Sequence, residues 1–124
     1  KALHRLLAAY GSNITVCSRS AESAELSNFY GASHIYFPEL KKKNDFDIVI
    51  NTVPHIVLTE AELKALKKSV IILDLASFPG GADTLMAASL GLKIINGRGM
   101  PSKFTAKAAG EAIGCAADEI IRQL

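Results

Sequence analysis

Five short apolar runs punctuate the chain: ITVC at 14–17, HIYF at 34–37, DIVI at 47–50, VIIL at 70–73 and KIIN at 93–96. They are rich in β-branched and aromatic residues, too short for helices and bounded by polar or Gly/Pro residues, so each is predicted to be a strand. Between them, apolar residues recur at helical spacing. Leu3, Leu6, Leu7 and Tyr10 mark one face of a first helix, and Gly11 is placed to end it as a left-handed C-cap. Residues 21–30, 59–66 and 83–90 supply the connecting helices, the last two with Thr59 and Asp83 as N-caps. Leu26 and Phe29 give the first of these an inward edge, and Leu63 and Leu66 the second. The end of the chain, TAKAAGEAIGCAADEIIRQL, reads as one long helix. Its small residues, Ala109, Ala112, Ala116 and Ala117 with Gly110 and Gly114, suit close packing on a neighbour, while Glu111, Asp118 and Glu119 exclude a membrane span.

Strands alternating with helices give an α/β protein, and runs such as DIVI and VIIL, apolar on both faces, are those of parallel strands covered by helices. The expected fold is a doubly wound parallel sheet of Rossmann type. In such a nucleotide-binding sheet a helix in the position of the first one follows a central strand and a glycine-rich turn. Here that helix begins at Lys1 with no capping residue before it. The central strand and the glycine-rich loop are therefore expected upstream, with residues 1–124 forming a single domain of a longer protein.

Composition narrows the partners. A chain of 124 residues that is 49% hydrophobic can bury a core of its own. A net charge of +2, with Lys41, Lys42 and Lys43 as the one basic run, gives no surface for nucleic acid. No apolar stretch reaches membrane-spanning length and no secretory signal opens the sequence. Cys17 and Cys115 form neither a C-x-x-C pair nor a disulfide framework, in keeping with a soluble protein of the reducing cytoplasm. His4, His34 and His55 have no metal-ligand spacing, so no metal is expected. The oligomeric state, a homo-oligomer included, is left open.

The chemistry gathers at the carboxyl ends of the strands, where open α/β sheets bind their ligands. In VCSRS, Arg19 stands between Ser18 and Ser20 where NAD-binding sheets carry an acidic residue; a guanidinium fork with flanking hydroxyls favours the 2′-phosphate of NADP instead. A solvated arginine at a strand end is the competing reading. In INTVP, Pro54 stops the strand and holds Val53 extended, so that Asn51 and Thr52 are placed to bond a nicotinamide ribose or a substrate, or merely to close a turn. In ILDLASFPGGAD, Asp74 can fix the loop by accepting backbone amides and, with Ala76 and Ser77, is expected to face the cofactor, while Gly80 and Gly81 allow close approach. In NGRGMPSKF, Gly99, Met100 and Pro101 shape a cofactor-facing loop, and Arg98 and Lys103 bring positive charge for a substrate. His55 is a candidate proton donor, with an exposed loop histidine as the plainer alternative. No nucleophile is paired with a base.

Taken in order, VCSRS, INTVP, ILDLASFPGGAD and GRGMPSKFTAKAAG resemble the motifs of a known family, the NADP-binding domain in the A subunit of dipicolinate synthase, and the similarity runs from Lys1 to Leu124. DLAS-x-PGG is the most specific of these. NTVP is shared with D-2-hydroxyacid dehydrogenases, and DLA followed by paired glycines with alanine dehydrogenases and transhydrogenases. The resemblance implies a sporulation enzyme that oxidises dihydrodipicolinate to pyridine-2,6-dicarboxylate with NADP. It also implies a partner, the flavoprotein-like B subunit. Phe78 stands where that family leads one to expect a basic residue, Ala106 where it has proline and Ala108 where it has threonine. Two other functions share the motifs: an NADP-linked dehydrogenase of the 2-hydroxyacid, shikimate or alanine type, and a non-enzymatic nucleotide-sensing domain.

Overall fold

The computed structural model of the chain describes residues 2–99. The helix expected beyond residue 104, with Cys115, lies outside them. The described residues form two units, residues 2–46 with 61–67 and residues 47–60 with 68–99.

The first unit opens with α1 (Ala2–Ala9), ended by Gly11 at φ 76°, the left-handed conformation expected of a C-capping glycine. Leu3 and Leu7 are half-buried, but Leu6 and Tyr10 of the expected face are exposed. Strand β1 (Thr15–Ser18) pairs in parallel with β2 (Ser33–Tyr36), Thr15 opposite Ser33 and Ser18 opposite Tyr36. The crossover between them is α2 (Ala21–Phe29), whose N-cap is Ser20. Leu26 is half-buried as expected, whereas Phe29 turns outward, 81% exposed, and stacks edge-on with Tyr30. The inward edge of α2 is carried instead by buried Ser27, whose hydroxyl satisfies itself on Ser23 O at 2.6 Å.

One element of this unit departs from expectation. The strand ends at Tyr36, and α3 (Phe37–Leu40) follows at once, whereas the run HIYF predicts strand through Phe37. Pro38 near the helix start costs no hydrogen bond there, and Glu39 Oε2 accepts the Tyr36 amide at 2.7 Å, reaching back to the entering chain as in a capping box. Lys41 then pairs with Glu62 at 3.7 Å, and Leu63 and Leu66 on the segment 61–67 are buried as expected. Cys17 lies half-buried in β1, and burial, aided by Glu39, pushes its thiol up to about 11. It is a packing residue rather than a nucleophile.

The second unit is a three-stranded parallel sheet ordered β3 (Ile48–Asn51), β4 (Ile71–Asp74), β5 (Lys93–Asn96). Its core is Leu58, Val70, Ile72, Ala76, Ala82, Ala87 and Leu92, with Ile72 fully buried in the central strand. The helix α4 (Glu60–Ala65) starts in this unit and continues into the first, and α5 (Thr84–Ser89) links β4 to β5. Asp83 is the N-cap of α5, its Oδ1 accepting the Met86 amide at 2.9 Å, and Lys68 Nζ donates to Leu90 O at 2.7 Å beyond the other end. The α/β class and the parallel pairing are those expected. Among the described residues β1 bonds only to β2 and β3 only to β4, so each sheet keeps an open edge.

Candidate functional site

The three strands of the second unit stop on one row. Asn51 is opposite Asp74, and Asp74 is opposite Asn96. At each, the side-chain oxygen accepts the amide two residues ahead: Val53 N to Asn51 Oδ1 at 3.1 Å, Ala76 N to Asp74 Oδ1 at 3.2 Å, and Arg98 N to Asn96 Oδ1 at 3.0 Å. This is what Asn and Asp do at turns, where a short polar side chain takes a backbone donor that the next ladder position would have used. The main chain continues the pairing for one step beyond the row, Leu75 N to Asn51 O at 2.9 Å and Gly97 N to Asp74 O at 2.8 Å.

Asp74 ties the row together. Its carboxylate is 2% exposed and accepts from Asn51 Nδ2 at 2.9 Å and from Gly81 N at 2.9 Å, in addition to Ala76 N. Burial alone would raise its pKa. The hydrogen bonds from Asn51, Gly81 and Ala76, with the charge of Arg98, outweigh that effect and hold the carboxyl below its ordinary value. Asn51 is equally committed: its amide also donates to Val53 O at 3.0 Å. Both residues were expected to face the cofactor. Their bonds within the protein make them the fasteners of the loops that follow β3 and β4, and Asp74 accepts backbone amides as its place in the sequence had indicated.

The loop after β4 is shaped by these contacts. The Phe78–Pro79 peptide bond is cis, and Gly80 closes a turn at φ 96° with its amide on Ser77 O at 2.8 Å. A Cβ on Gly80 would lie 2.5 Å from Arg98 Nη2 and 2.7 Å from Asp74 Oδ2, so only glycine lets the main chain pass between the two charges. A Cβ on Gly81 would run into the side-chain amide of Asn51. Gly81 O in turn accepts the amides of Val57 and Leu58 at 3.0 and 2.9 Å, fastening the loop after β3 to the loop after β4. Arg98 reaches back across, donating from Nη2 to Pro79 O at 2.7 Å with its guanidinium 5.9 Å from the Phe78 ring centre. Its Nε is buried without a partner among the described residues. Of the remaining expected residues in this unit, Thr52, Pro54, His55, Ser77 and Gly99 are exposed, Val53 is half-buried and Ala76 is buried. Met100, Pro101 and Lys103 lie outside the described residues.

In the first unit, β1 ends at Ser18 and Arg19 follows, exposed and with no hydrogen bond or ion pair among the described residues. Its two serine neighbours are occupied. Ser18 Oγ is 2.9 Å from His34 Nε2, and Ser20 Oγ accepts the Ser23 amide at 3.1 Å while donating to Ser23 Oγ at 2.8 Å. A free guanidinium fork one residue before the N-cap of a nine-residue helix suits a phosphate monoester, so the donor set fits the 2′-phosphate of NADP through Arg19 more than through the serines. Among the described residues no group of His, Cys, Asp and Glu could hold a metal ion, and no helix is long and apolar enough to cross a membrane.

Sequence reasoning missed Asn96, which it left inside a strand, and the contact of Gly81 with Asn51. The first had a signal, since Asn96 closes its strand two residues before Arg98 as Asn51 does before Val53.

The chain is 32% identical over 121 residues to the A subunit of dipicolinate synthase from Bacillus subtilis (strain 168), a match that takes in 97% of this chain and 41% of that protein. The chain resembles the A subunit of dipicolinate synthase. The crystal structure of the A chain of dipicolinate synthase from B. subtilis superposes with a TM-score of 0.91 at 32% identity, covering 98% of this chain and 41% of that one. The dipicolinate synthase A subunit from Bacillus halodurans superposes with a TM-score of 0.88 at 27% identity, covering 95% and 41%. No family model matches the chain. It thus spans about two fifths of the length of the dipicolinate synthase proteins it matches.

Proposed function

We propose that the chain is the NADP-binding domain of a dipicolinate synthase-type oxidoreductase, which converts dihydrodipicolinate into dipicolinate. The observation that carries the reading is the fastened row of Asn51, Asp74 and Asn96, which brings three loops to one sheet edge beside Arg98 in a chain that resembles the A subunit of dipicolinate synthase. In this reading Arg19 is the residue for the 2′-phosphate, and Thr52, Ser77, Gly99, Met100 and Pro101 are those for the rest of the cofactor. When bound, NADP would supply the acceptor for the hydride that the dihydropyridine ring loses, a proton also leaving the ring as it becomes aromatic. Arg98 and Lys103 meet the carboxylates of the substrate, and His55 is the candidate for the proton. Residues 1–124 act as one domain of a longer, cytoplasmic protein whose partner is a flavoprotein like the B subunit of the synthase.

The test is turnover. The full-length protein, mixed with its flavoprotein partner and with dihydrodipicolinate generated in situ, should produce NADPH absorbance and dipicolinate. Binding of NADP with no turnover of this or any related dihydropyridine acid would set the enzymatic reading aside in favour of a sensor.

A further inference from the structure

The Phe78 ring is 85% exposed at the tip of a loop whose main chain is otherwise fastened, and an exposed aromatic ring of this size gains nothing from folding. Its position is not loose. Pro79 follows it, Gly80 turns the chain, and Arg98 bonds Pro79 O while lying 5.9 Å from the ring centre. The guanidinium spends one Nη2 donor on that carbonyl, Asp74 already accepts three hydrogen bonds elsewhere, and the remaining Nη donors have no partner among the described residues. Arg98 therefore has donors left for an anion beside an open aromatic face.

From this geometry we infer that Phe78 and Arg98 form one recognition element for a planar ring bearing a carboxylate, the ring lying on Phe78 and the carboxylate in the fork of Arg98. The element deepens the reading proposed above and rests on it for the identity of the acid. It adds a selectivity that charge alone does not give: cations at a crevice take any dicarboxylate, whereas an aromatic platform prefers one that is flat. In the proposed reaction the ring becomes flat as it becomes aromatic, so Phe78 would interact with the flattening ring and the flat product more than with the puckered dihydro acid.

Calorimetry on the full-length protein saturated with NADP, using pyridine-2,6-dicarboxylate, benzoate and glutarate as probes, tests the element. Phe78→Leu should weaken pyridine-2,6-dicarboxylate and benzoate roughly three- to tenfold and leave glutarate unchanged, and Phe78→Trp should restore the aromatic acids. Arg98→Met should weaken all three about tenfold or more. Thermal melts of the variants check that each is folded, which the exposure of Phe78 favours. Unchanged affinity for the aromatic acids in Phe78→Leu overturns the platform and leaves the dicarboxylate reading standing. Phe78-dependent binding of benzoate without binding of pyridine-2,6-dicarboxylate keeps the platform and overturns the proposed substrate. Binding of neither aromatic acid overturns both.

Discussion

The two units present their strand ends in opposite ways. In the second, Asn51 and Asp74 are buried and share hydrogen bonds with each other and with the loops beyond, under a core that includes Val70, Ile72 and Leu92. In the first, no residue of β1 or β2 is buried, and Arg19 leaves the sheet with no partner among the described residues. The difference is one of preorganisation. A loop whose turns are pinned by buried acceptors meets a ligand in a fixed shape, and the ordering cost has been met by folding; a free arginine orders only when an anion arrives.

The comparison breaks first at Asp74. Removing its carboxylate leaves Asn51 Nδ2, Ala76 N and Gly81 N without their acceptor, and Asp74→Asn still turns a donor toward at least one of them. Either change should cost roughly 3 kcal/mol or more, read from urea denaturation. Because the folded carboxyl titrates below its ordinary value of 3.8, its contribution is fully present above that value and is lost as pH falls through the lower folded value. The stability gap between wild type and Asp74→Ala should therefore narrow on moving from pH 7 into that acid range. A gap that stays constant would show that the carboxylate is not the fastener.

Gly81→Ala comes next. The added methyl meets the Asn51 amide, which is itself held by Asp74, so the neighbour cannot swing away without losing bonds. A loss of about 1–3 kcal/mol is expected, with Asn51→Ala recovering part of it in the double variant. Purely additive losses in that cycle would place the strain elsewhere.

Arg19→Ala sharpens the contrast from the other side, since nothing in the fold depends on this side chain. Melting should be unchanged. NADP binding to the full-length protein should weaken by about 1.5–3 kcal/mol while NAD binding stays nearly constant, as calorimetry with both cofactors would show. Equal losses for the two would remove the phosphate from Arg19.

Much of this arrangement was legible in the sequence because it is local. The five strands, the glycine that ends α1, the Asp83 cap and the role of Asp74 as acceptor follow from period, turn chemistry and the short reach of Asx side chains. Other features depend on what lies opposite. Phe29 sits at the right spacing for an inward position yet turns out, and α3 interrupts an apolar run through the bond from the Tyr36 amide to Glu39, a contact that propensity at Phe37 does not report. At the site, the identity of Asn51 and Asp74 as polar strand ends was plain; their commitment to each other was not. That pairing is set by the register of β3 against β4, with the two residues 23 positions apart in sequence.

The row of Asn51, Asp74 and Asn96 also bears on how such an edge can diversify. Each turn is started by the residue that ends its own strand, at the same distance of two positions. The departure of the chain from the sheet is thus separated from what the chain does afterwards, as a common plug separates a socket from the appliance. The segment after β5 takes this start from Asn96, but Arg98 ties it to the loop after β4 through Pro79 O. The segments after β3 and β4, cross-tied through Gly81 and Asp74, must vary together. Changes in the three segments should accordingly come together, on a row of strand ends that stays in place.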